Sequence, residues 1–410
     1  MDDIELGRND NFDINVSSSR LFPNNCNSTI EELIENSLSI SHVNIRSLYK
    51  NFDSLKELYE ESYNNKFKLI GLSEIWNVID IENFKIPGYN LEIQCRSKQR
   101  GGGVGAYIHS SLNYSRINDI SLVNAESIWL KLHLMNKTIV IGVVYRKPGT
   151  NFDEFKNELE IVLQNLNLDK KLAIIMGDFN IDLTSNEEKS SELICLTESY
   201  GLVQLIKTAT RITNTTSTLI DHIYTNISSY CIQSGCIEAG ITDHFPVYAL
   251  FENFEFKPIQ KVMRRLRNFR NYSKDSFCDD LSTVQWKAIY ECTDVDEAYE
   301  LFYTMFLEVC NKHAPVQQTS FDSKRRSNPW ITKSIKKSIR KKHALYSKAI
   351  KSGFDAAHVD KFKKYRNTLT SVIRTAKKLY YGKLFQKEKN NGKKTWNLIN
   401  ELLKKNIFAK

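Results

Sequence analysis

Asp178 and Asn180 stand at the end of an apolar run, Leu172-Ala173-Ile174-Ile175-Met176, with Gly177 between. A carboxylate at such a place can take or orient the proton of a water. A carboxamide can hold that water or an oxyanion. On an extended chain, residues two apart share a face, so the two groups are expected to point the same way. Gly177 allows close backbone approach or an unusual φ just before them. The same residue types also make ordinary turns. What weighs between the two readings is how many other strand-like runs end in, or carry, polar groups of matching chemistry. Asn44 closes the alternating run 38–43, and Glu74 follows the run 68–72. Tyr145 ends the run 138–145, Asp221 lies within 219–224, and Asp243 with His244 enters the run 247–251. A single Glu after a strand is usually solvated, and a single Asp-His pair is usually a local hydrogen bond. Several such strand ends in alternating β/α order point to one cleft, where folds of this kind place their sites.

The elements that must position these groups are short strands and a few helices. Residues 51–58 have helical spacing with Asn51 as N-cap. Residues 127–134 and 138–145 read as strands joined by a hairpin-length link. Residues 152–166 form an amphipathic helix with apolar residues at 152, 155, 159, 162, 163 and 166. Residues 192–202 read as a further helix. Gly101-Gly102-Gly103 could cradle a phosphate, but no Lys-Ser/Thr follows and no helix clearly opens there, so a flexible turn into the next strand is expected. Residues 1–36, rich in Asn, Ser and Asp, are expected to be disordered. Phe277-Cys278-Asp279-Asp280 matches the aromatic-x-Asp-Asp signature of polymerases. Its polar flanks predict the N-terminus of a helix instead.

The chain has 410 residues and a net charge of +9. That figure hides an asymmetry. Between Lys324 and Lys410, 26 Lys and Arg stand against four Asp and Glu, a charge of +22 that leaves −13 for residues 1–323. So basic a segment predicts a polyanionic partner. Helices are expected at 331–350, 358–386 and 395–403. The eight cysteines include no Cys-x-x-Cys pair, which argues against zinc and for reduced thiols. No apolar run approaches a membrane span, and the Met-Asp-Asp-Ile-Glu opening has no leader character. An intracellular, nuclear protein without a membrane partner is expected.

Taken together, six segments resemble the endonuclease/exonuclease/phosphatase superfamily. They are His42-Val43-Asn44-Ile45-Arg46-Ser47-Leu48, Leu72-Ser73-Glu74-Ile75-Trp76, Val143-Val144-Tyr145-Arg146-Lys147-Pro148, Gly177-Asp178-Phe179-Asn180, Ile220-Asp221-His222-Ile223 and Thr242-Asp243-His244. The resemblance is to the apurinic-type endonuclease domain of non-LTR (LINE-like, jockey or CR1 type) retrotransposon proteins, here truncated before the reverse transcriptase. It implies an α/β fold, a four-layer α/β sandwich of two packed mixed sheets, followed by a basic, mostly helical C-terminal region. The implied divisions are a disordered segment 1–36, the catalytic domain 37–253, a helical linker 254–328 and a basic helical region 329–410.

The resemblance also implies roles. Glu74 with Asn44 would hold a divalent metal, Mg2+ with Mn2+ as substitute. Tyr145 and Asn180 would hold the scissile phosphate, and Asp178 would orient or deprotonate the attacking water. His244 would stabilise the developing charge, with Asp243 fixing its orientation, and Asp221 would support the site or hold His244. Arg46, Arg146 and Lys147 are expected nucleic-acid contacts. Repair members of the superfamily carry an acidic residue where this chain has Arg46, which puts a second carboxylate-bound metal in doubt. The implied activity is a Mg-dependent DNA endonuclease, with element RNA as a further partner of the basic region. Its rivals are a phosphoinositide or lipid phosphodiesterase of the same superfamily and a non-catalytic nucleic-acid-binding relic. Truncation after Asn253 is expected to weaken nucleic-acid binding and flatten its salt dependence while leaving metal-dependent nicking at low salt.

Overall fold

The computed structural model describes residues 17–402 apart from 22, 24–27, 97–100, 136, 167, 169, 170, 214, 257–261 and 322–328. In chain order the elements begin β1 (Ser17–Leu21), α1 (Ser28–Asn36), β2 (Leu38–Asn44), α2 (Leu48–Lys56), β3 (Leu69–Ser73), β4 (Tyr89–Gln94), β5 (Val104–His109) and β6 (Asn113–Ile117). They continue with β7 (Glu126–His133), β8 (Thr138–Tyr145), α3 (Phe152–Leu166), β9 (Leu172–Asp178), α4 (Glu188–Ser199), β10 (Val203–Gln204), β11 (Arg211–Ile212), β12 (Ser217–Thr218), β13 (Asp221–Thr225), β14 (Cys231–Ile237) and β15 (Val247–Phe251). One sheet has the order β1-β14-β15-β2-β3-β5-β4, and the other β10-β13-β9-β8-β7-β6. Each is mixed, with a parallel pair at its centre, β2 on β3 and β8 on β9.

Period-two alternation explains why these strands lie between layers. In β8, Ile139, Ile141 and Val143 face the other sheet, while Val140 and Val144 face α3 and α4. In β9, Ile174 and Met176 face inward, while Ala173 and Ile175 face the helices. In β2, Leu38 and Ile40 face inward, while Val43 lies in the cluster that includes Phe52 and Leu55 of α2. The result is the four-layer α/β sandwich. Gly177 is required where β9 meets β8, because a Cβ there would come within 1.8 Å of the Val144 carbonyl oxygen.

Two local expectations change. Helix α2 begins four residues earlier than the spacing suggested at Asn51, with Ser47 as N-cap accepting from the Lys50 amide. Asn51 instead donates to the Ile45 and Arg46 carbonyls, shaping the loop that carries Arg46. The N-terminal 36 residues, expected to be disordered, supply β1, parallel to β14, and α1, whose Ile34 is fully buried. Residues 1–16 of that stretch lie outside the described residues.

Two compact units are present, Met1–Lys257 with Ser327–Lys410, and Pro258–Arg326. The second unit, expected as a helical linker, pairs β16 (Val262–Arg267) antiparallel with β17 (Val316–Phe321) around α5 (Lys274–Thr283) and α6 (Val295–His313). The Phe277-Cys278-Asp279-Asp280 segment lies inside α5, not at its N-terminus, and Asp280 pairs with Lys312 and His313 of α6. It forms no strand-turn-strand.

The basic region folds as α7 (Lys333–Lys351), α8 (Ala356–Glu388) and α9 (Gly392–Leu402). Helices α7 and α8 run antiparallel, since Trp330 stacks near Tyr380 and Tyr381 while Tyr346 meets Phe362 at 4.9 Å. Tyr346 and Phe362 belong to the same buried cluster as Phe245 and Val247. Lys342 and His343 meet Glu57 at the end of α2, and Lys336 meets Glu61 at 3.1 Å. The basic region is therefore packed into the first unit by apolar burial and buried charge pairs. The expectation that low-salt nicking survives truncation after Asn253 left out the apolar face of α7. Among the described residues no helix is long and apolar enough to cross a membrane.

Candidate active site

Strand parity delivers the site. The inward-facing series of β2, β8, β9 and β13 end respectively in Asn44, Tyr145, Asp178 and Asp221. Register sets Tyr145 beside Asp178 across the parallel β8–β9 pair, and Asp221 opposite Asp178 across β9–β13. Hydrogen bonds then cross between the sheets. Asn44 Nδ2 donates to Asp178 Oδ2 and to Glu74 Oε1, both at 2.8 Å. His244 Nδ1 meets Asp221 Oδ2 at 2.8 Å.

Glu74 breaks the parity rule. Its even-numbered neighbours Ile70 and Leu72 pack on the outer side of the first sheet. A left-handed backbone, φ 52°, turns the chain at Glu74 and brings its carboxylate back to Asn44. Such a conformation costs a non-glycine residue roughly 1–2 kcal/mol, and it concentrates at functional sites. The glycine cluster holds this turn in place. The Gly103 and Gly102 carbonyls accept from the Ile75 and Trp76 amides at 3.3 and 2.7 Å, and Gly101, Gly102 and Gly103 all have positive φ. Trp76 Nε1 donates to Glu74 Oε2 at 3.4 Å.

Asn180 does not share an extended face with Asp178 as expected. Its φ is 49°, its amide donates to Asp178 Oδ1 at 3.0 Å, and its carboxamide donates to the Arg146 carbonyl at 2.7 Å. It stays at the rim of the site through a turn.

Charge follows from burial. Burial pushes the Asp178 carboxyl upward, and the neighbouring Asp221 charge adds to the rise. Asp221 is fully buried too, which would raise it, yet the His244 charge and hydrogen bond hold it below the usual range. Burial lowers His244, but Asp221 outweighs burial and carries the imidazole up to about 9. At neutral pH the pair is therefore an imidazolium on a carboxylate. The Tyr145 phenol is raised by burial and then by Glu74 and Asp178, so it remains a neutral donor.

Two expected roles are corrected. Asp243 does not fix His244; Asp221 does. Asp243 instead meets Arg46 at 2.7 Å and accepts from Arg211 Nε at 2.9 Å. Arg146 does not reach outward for nucleic acid. It is buried, its guanidinium donates to the Phe179, Asn180 and Thr150 carbonyls, and it lies over the Phe155 ring. It holds the 178–180 turn in shape. Lys147 is exposed, and Arg46 is two-fifths exposed.

Three further residues belong to the site. His42, fully buried on the inward face of β2, places Nδ1 3.6 Å from Asp221 Oδ1, and burial lowers it to about 4. Its parity with Asn44 was visible in the sequence. Thr242 donates to the Asn44 carbonyl at 2.9 Å and fixes the loop before His244. Thr210 accepts from the Asp221 amide at 3.0 Å; nothing in the sequence marked it. His222 faces away from the site and stacks on Phe179 at 5.0 Å.

The donor set suits a hard cation. Asp178, Asp221 and His244 each offer a ligand atom within 4.8 Å of the others, and Asp221 Oδ1 has no hydrogen-bond partner. Because Asp221 and His244 already satisfy each other, the carboxylates on either side of Asn44, Glu74 and Asp178, are the better oxygen donors.

Residues 139–248 match the family model described as endonuclease-reverse transcriptase. Residues 331–392 match that of the female sterile protein K10 C-terminal domain. No curated protein matches the chain in sequence. Among solved structures, it is similar to the endonuclease domain of TRAS1, a telomere-specific non-LTR retrotransposon, at 12% identity over 52% of this chain and 98% of that one, with TM-score 0.44. It is similar to the 3' phosphatase NExo from Neisseria bound to a product DNA hairpin, at 14% identity over 53% and 100%, with TM-score 0.40. D. rerio TDP2 complexed with single-strand DNA product is 13% identical over 53% and 99%, with TM-score 0.42. The two-sheet sandwich with its polar strand ends is an α/β fold of the endonuclease/exonuclease/phosphatase kind, and the family match falls on its stretch from β8 into β15. Within that class, the matched model is the one for endonucleases joined to reverse transcriptases.

Proposed function

We propose that this protein is a metal-dependent DNA endonuclease that nicks a phosphodiester by in-line attack of an activated water. One observation carries the reading: Asn44 joins Glu74 and Asp178 beside a His244 that Asp221 keeps cationic. Asp178, raised by burial and by Asp221, is a base of suitable strength for a water proton. His244 presents positive charge where the phosphorane develops negative charge, and Tyr145 donates a neutral O–H to a phosphate oxygen. Asn180 positions that phosphate at the rim. Glu74, with the Asn44 amide turned to present its oxygen, would hold Mg2+ or Mn2+. The cation supplies neutralisation of the phosphate and of the leaving oxygen. DNA is favoured over a lipid phosphate by the basic helices packed beside the site and by the family match at 139–248.

The test is nicking of supercoiled plasmid with Mg2+, with chelator, and with E74Q and D178N. Each substitution is expected to lower the rate by at least about a hundredfold while the protein stays folded, since metal binding and water activation each contribute several kcal/mol. Near-normal nicking in either variant refutes the assignment. Turnover of inositol or lipid phosphates in place of DNA would favour the other phosphoesterase reading.

A further inference from the structure

The basic helices and the catalytic loop share a groove. A cavity of about 1000 Å3 lies between α2 and α8 and reaches the site at Arg46, Thr242 and Asp243. Its floor is tight: a Cβ on Gly240 would meet Phe362 at 2.8 Å and Tyr346 at 3.1 Å. One wall is the α8 face carrying Lys363, Arg366, Arg374 and Lys377. Their spacing of three, eight and three residues keeps all four on one side of a helix. At 1.5 Å per residue the stripe is about 21 Å long. One DNA strand rises about 3.4 Å per nucleotide, so the stripe matches roughly six phosphates.

The opposite wall does not neutralise this stripe. Its carboxylates are engaged elsewhere, Glu57 by Lys342, Glu60 by Lys56 and Glu61 by Lys336. Asp243 is held by Arg46 and Arg211, which leaves Asp53 facing Lys50 and the stripe. Among the described residues, no carboxylate pairs with any of the four α8 cations. The Arg366 guanidinium lies over Phe362 at 5.7 Å and donates to Asn367, and the Lys377 ammonium lies over Trp330 at 5.5 Å, so both charged groups are held in place without a carboxylate partner.

We propose that this groove is the docking track for the DNA flank beside the scissile phosphate, with one strand's phosphates along Lys363, Arg366, Arg374 and Lys377. The proposal rests on the nuclease reading, and it makes the C-terminal helices part of the substrate-binding surface of the catalytic unit. A separate tethered arm would place those charges independently of the site.

The experiment uses the full chain, with the quadruple variant K363Q/R366Q/R374Q/K377Q and a control, K361Q/K378Q/K383Q/K387Q, of equal charge change elsewhere on α8. A second variant, K363Q/R374Q, leaves both ring contacts intact. Binding to a 30-base-pair duplex is measured against salt in chelator, and nicking with Mg2+ on the same duplex. With each phosphate contact contributing about 0.9 to the slope of log K against log salt, the quadruple variant is expected to flatten the slope by about 3 to 4 and the double variant by about 2. The quadruple variant should also raise KM with little change in kcat, and the control should change each far less. Slopes and KM equal to those of the control overturn the groove. Loss of Mg2+-dependent nicking in the wild type overturns the nuclease reading instead, and the chelator binding data still decide the groove. Equal displacement of duplex and of an acidic peptide from the wild type would mark the stripe as a general anion surface and refute the track.

Discussion

Replacing Asp221 with Asn removes the largest of the charges that raise His244, ahead of Asp178 and Asp243. Asp221 and His244 are both buried, and their bond is 2.8 Å long. The structure contains its own comparison. His42 is fully buried 3.6 Å from the same carboxylate without a hydrogen bond, and burial takes it down to about 4. With Asp221, His244 stands at about 9. Without that charge, burial dominates and His244 should fall below its ordinary 6.5, toward His42. At pH 7.5 the cationic fraction then drops from nearly all to at most about one tenth. The lost charge-assisted bond adds about 1.5–3 kcal/mol of positioning. The product is a loss of roughly a hundred- to a thousandfold in nicking rate, the size seen when one oxyanion donor is removed. The assay is initial nicking rate from pH 5.5 to 9.5 at saturating Mg2+. Wild type should gain activity as Asp178 loses its proton near pH 7 and hold it until the pH passes about 9, where His244 loses its own. The variant should begin its alkaline loss at the lowered His244 pKa, more than two pH units below wild type. The same pair shapes stability. His244, raised in the fold, contributes fully below 6.5 and loses its contribution as pH rises through about 9. Asp221, held low in the fold, contributes above its ordinary 3.8 and loses its contribution as pH falls through the folded value. A variant pH profile parallel to wild type would show that Asp221 does not set the His244 charge.

Tyr346→Ala should destabilise the catalytic unit by about 3–5 kcal/mol in urea unfolding, because the ring fills space against Phe245 at 6.2 Å and Phe362 at 4.9 Å. Deletion of 327–410 should abolish nicking at every salt concentration, and a stable, active deletion protein would disprove the packing argument. Arg146→Ala should lower stability by about 1–3 kcal/mol and leave the salt slope of DNA binding unchanged, because its donors serve buried carbonyls. A flattened slope with unchanged stability would return Arg146 to the phosphate-contact role.

What the sequence made legible was whatever obeys period two. Asn44, Tyr145, Asp178 and Asp221 continue apolar series, so their convergence could be read from the chain. Residues placed by a departure from that period could be named as candidates, but the pattern did not say how they reach the site. Glu74 reaches the site through a left-handed turn braced by glycines some thirty residues ahead, and no local pattern encodes that brace. The resemblance left open whether Asp221 holds His244 or only supports the site, and it gave the orienting role to Asp243. The strand pairing that puts Asp221 at hydrogen-bond distance is tertiary. Arg146 was misjudged for a related reason: a basic residue after a strand is usually solvated, and only the fold shows three carbonyls waiting for it.

The C-terminal region shows why composition alone misled about separability. Its +22 reads as one property, yet the structure divides the charge by physical role. Lys342 is buried against Glu57, and Lys336 joins Glu61 on the same edge of α2. With Tyr346 and Phe362 they fasten α7 and α8 to the loop that carries Gly240, Thr242 and His244. A buried pair is little screened by salt. The groove-facing cations of α8 are exposed and lack carboxylate partners, so their attraction for phosphate weakens steeply as salt rises. One segment thus holds its own position through contacts insensitive to ionic strength and offers a surface whose affinity depends on it. The docking contacts keep the exposed charges at a fixed distance from Asp178 and His244. Without that fixed distance a basic helix could concentrate DNA near the protein, but it could not set which phosphate enters the site.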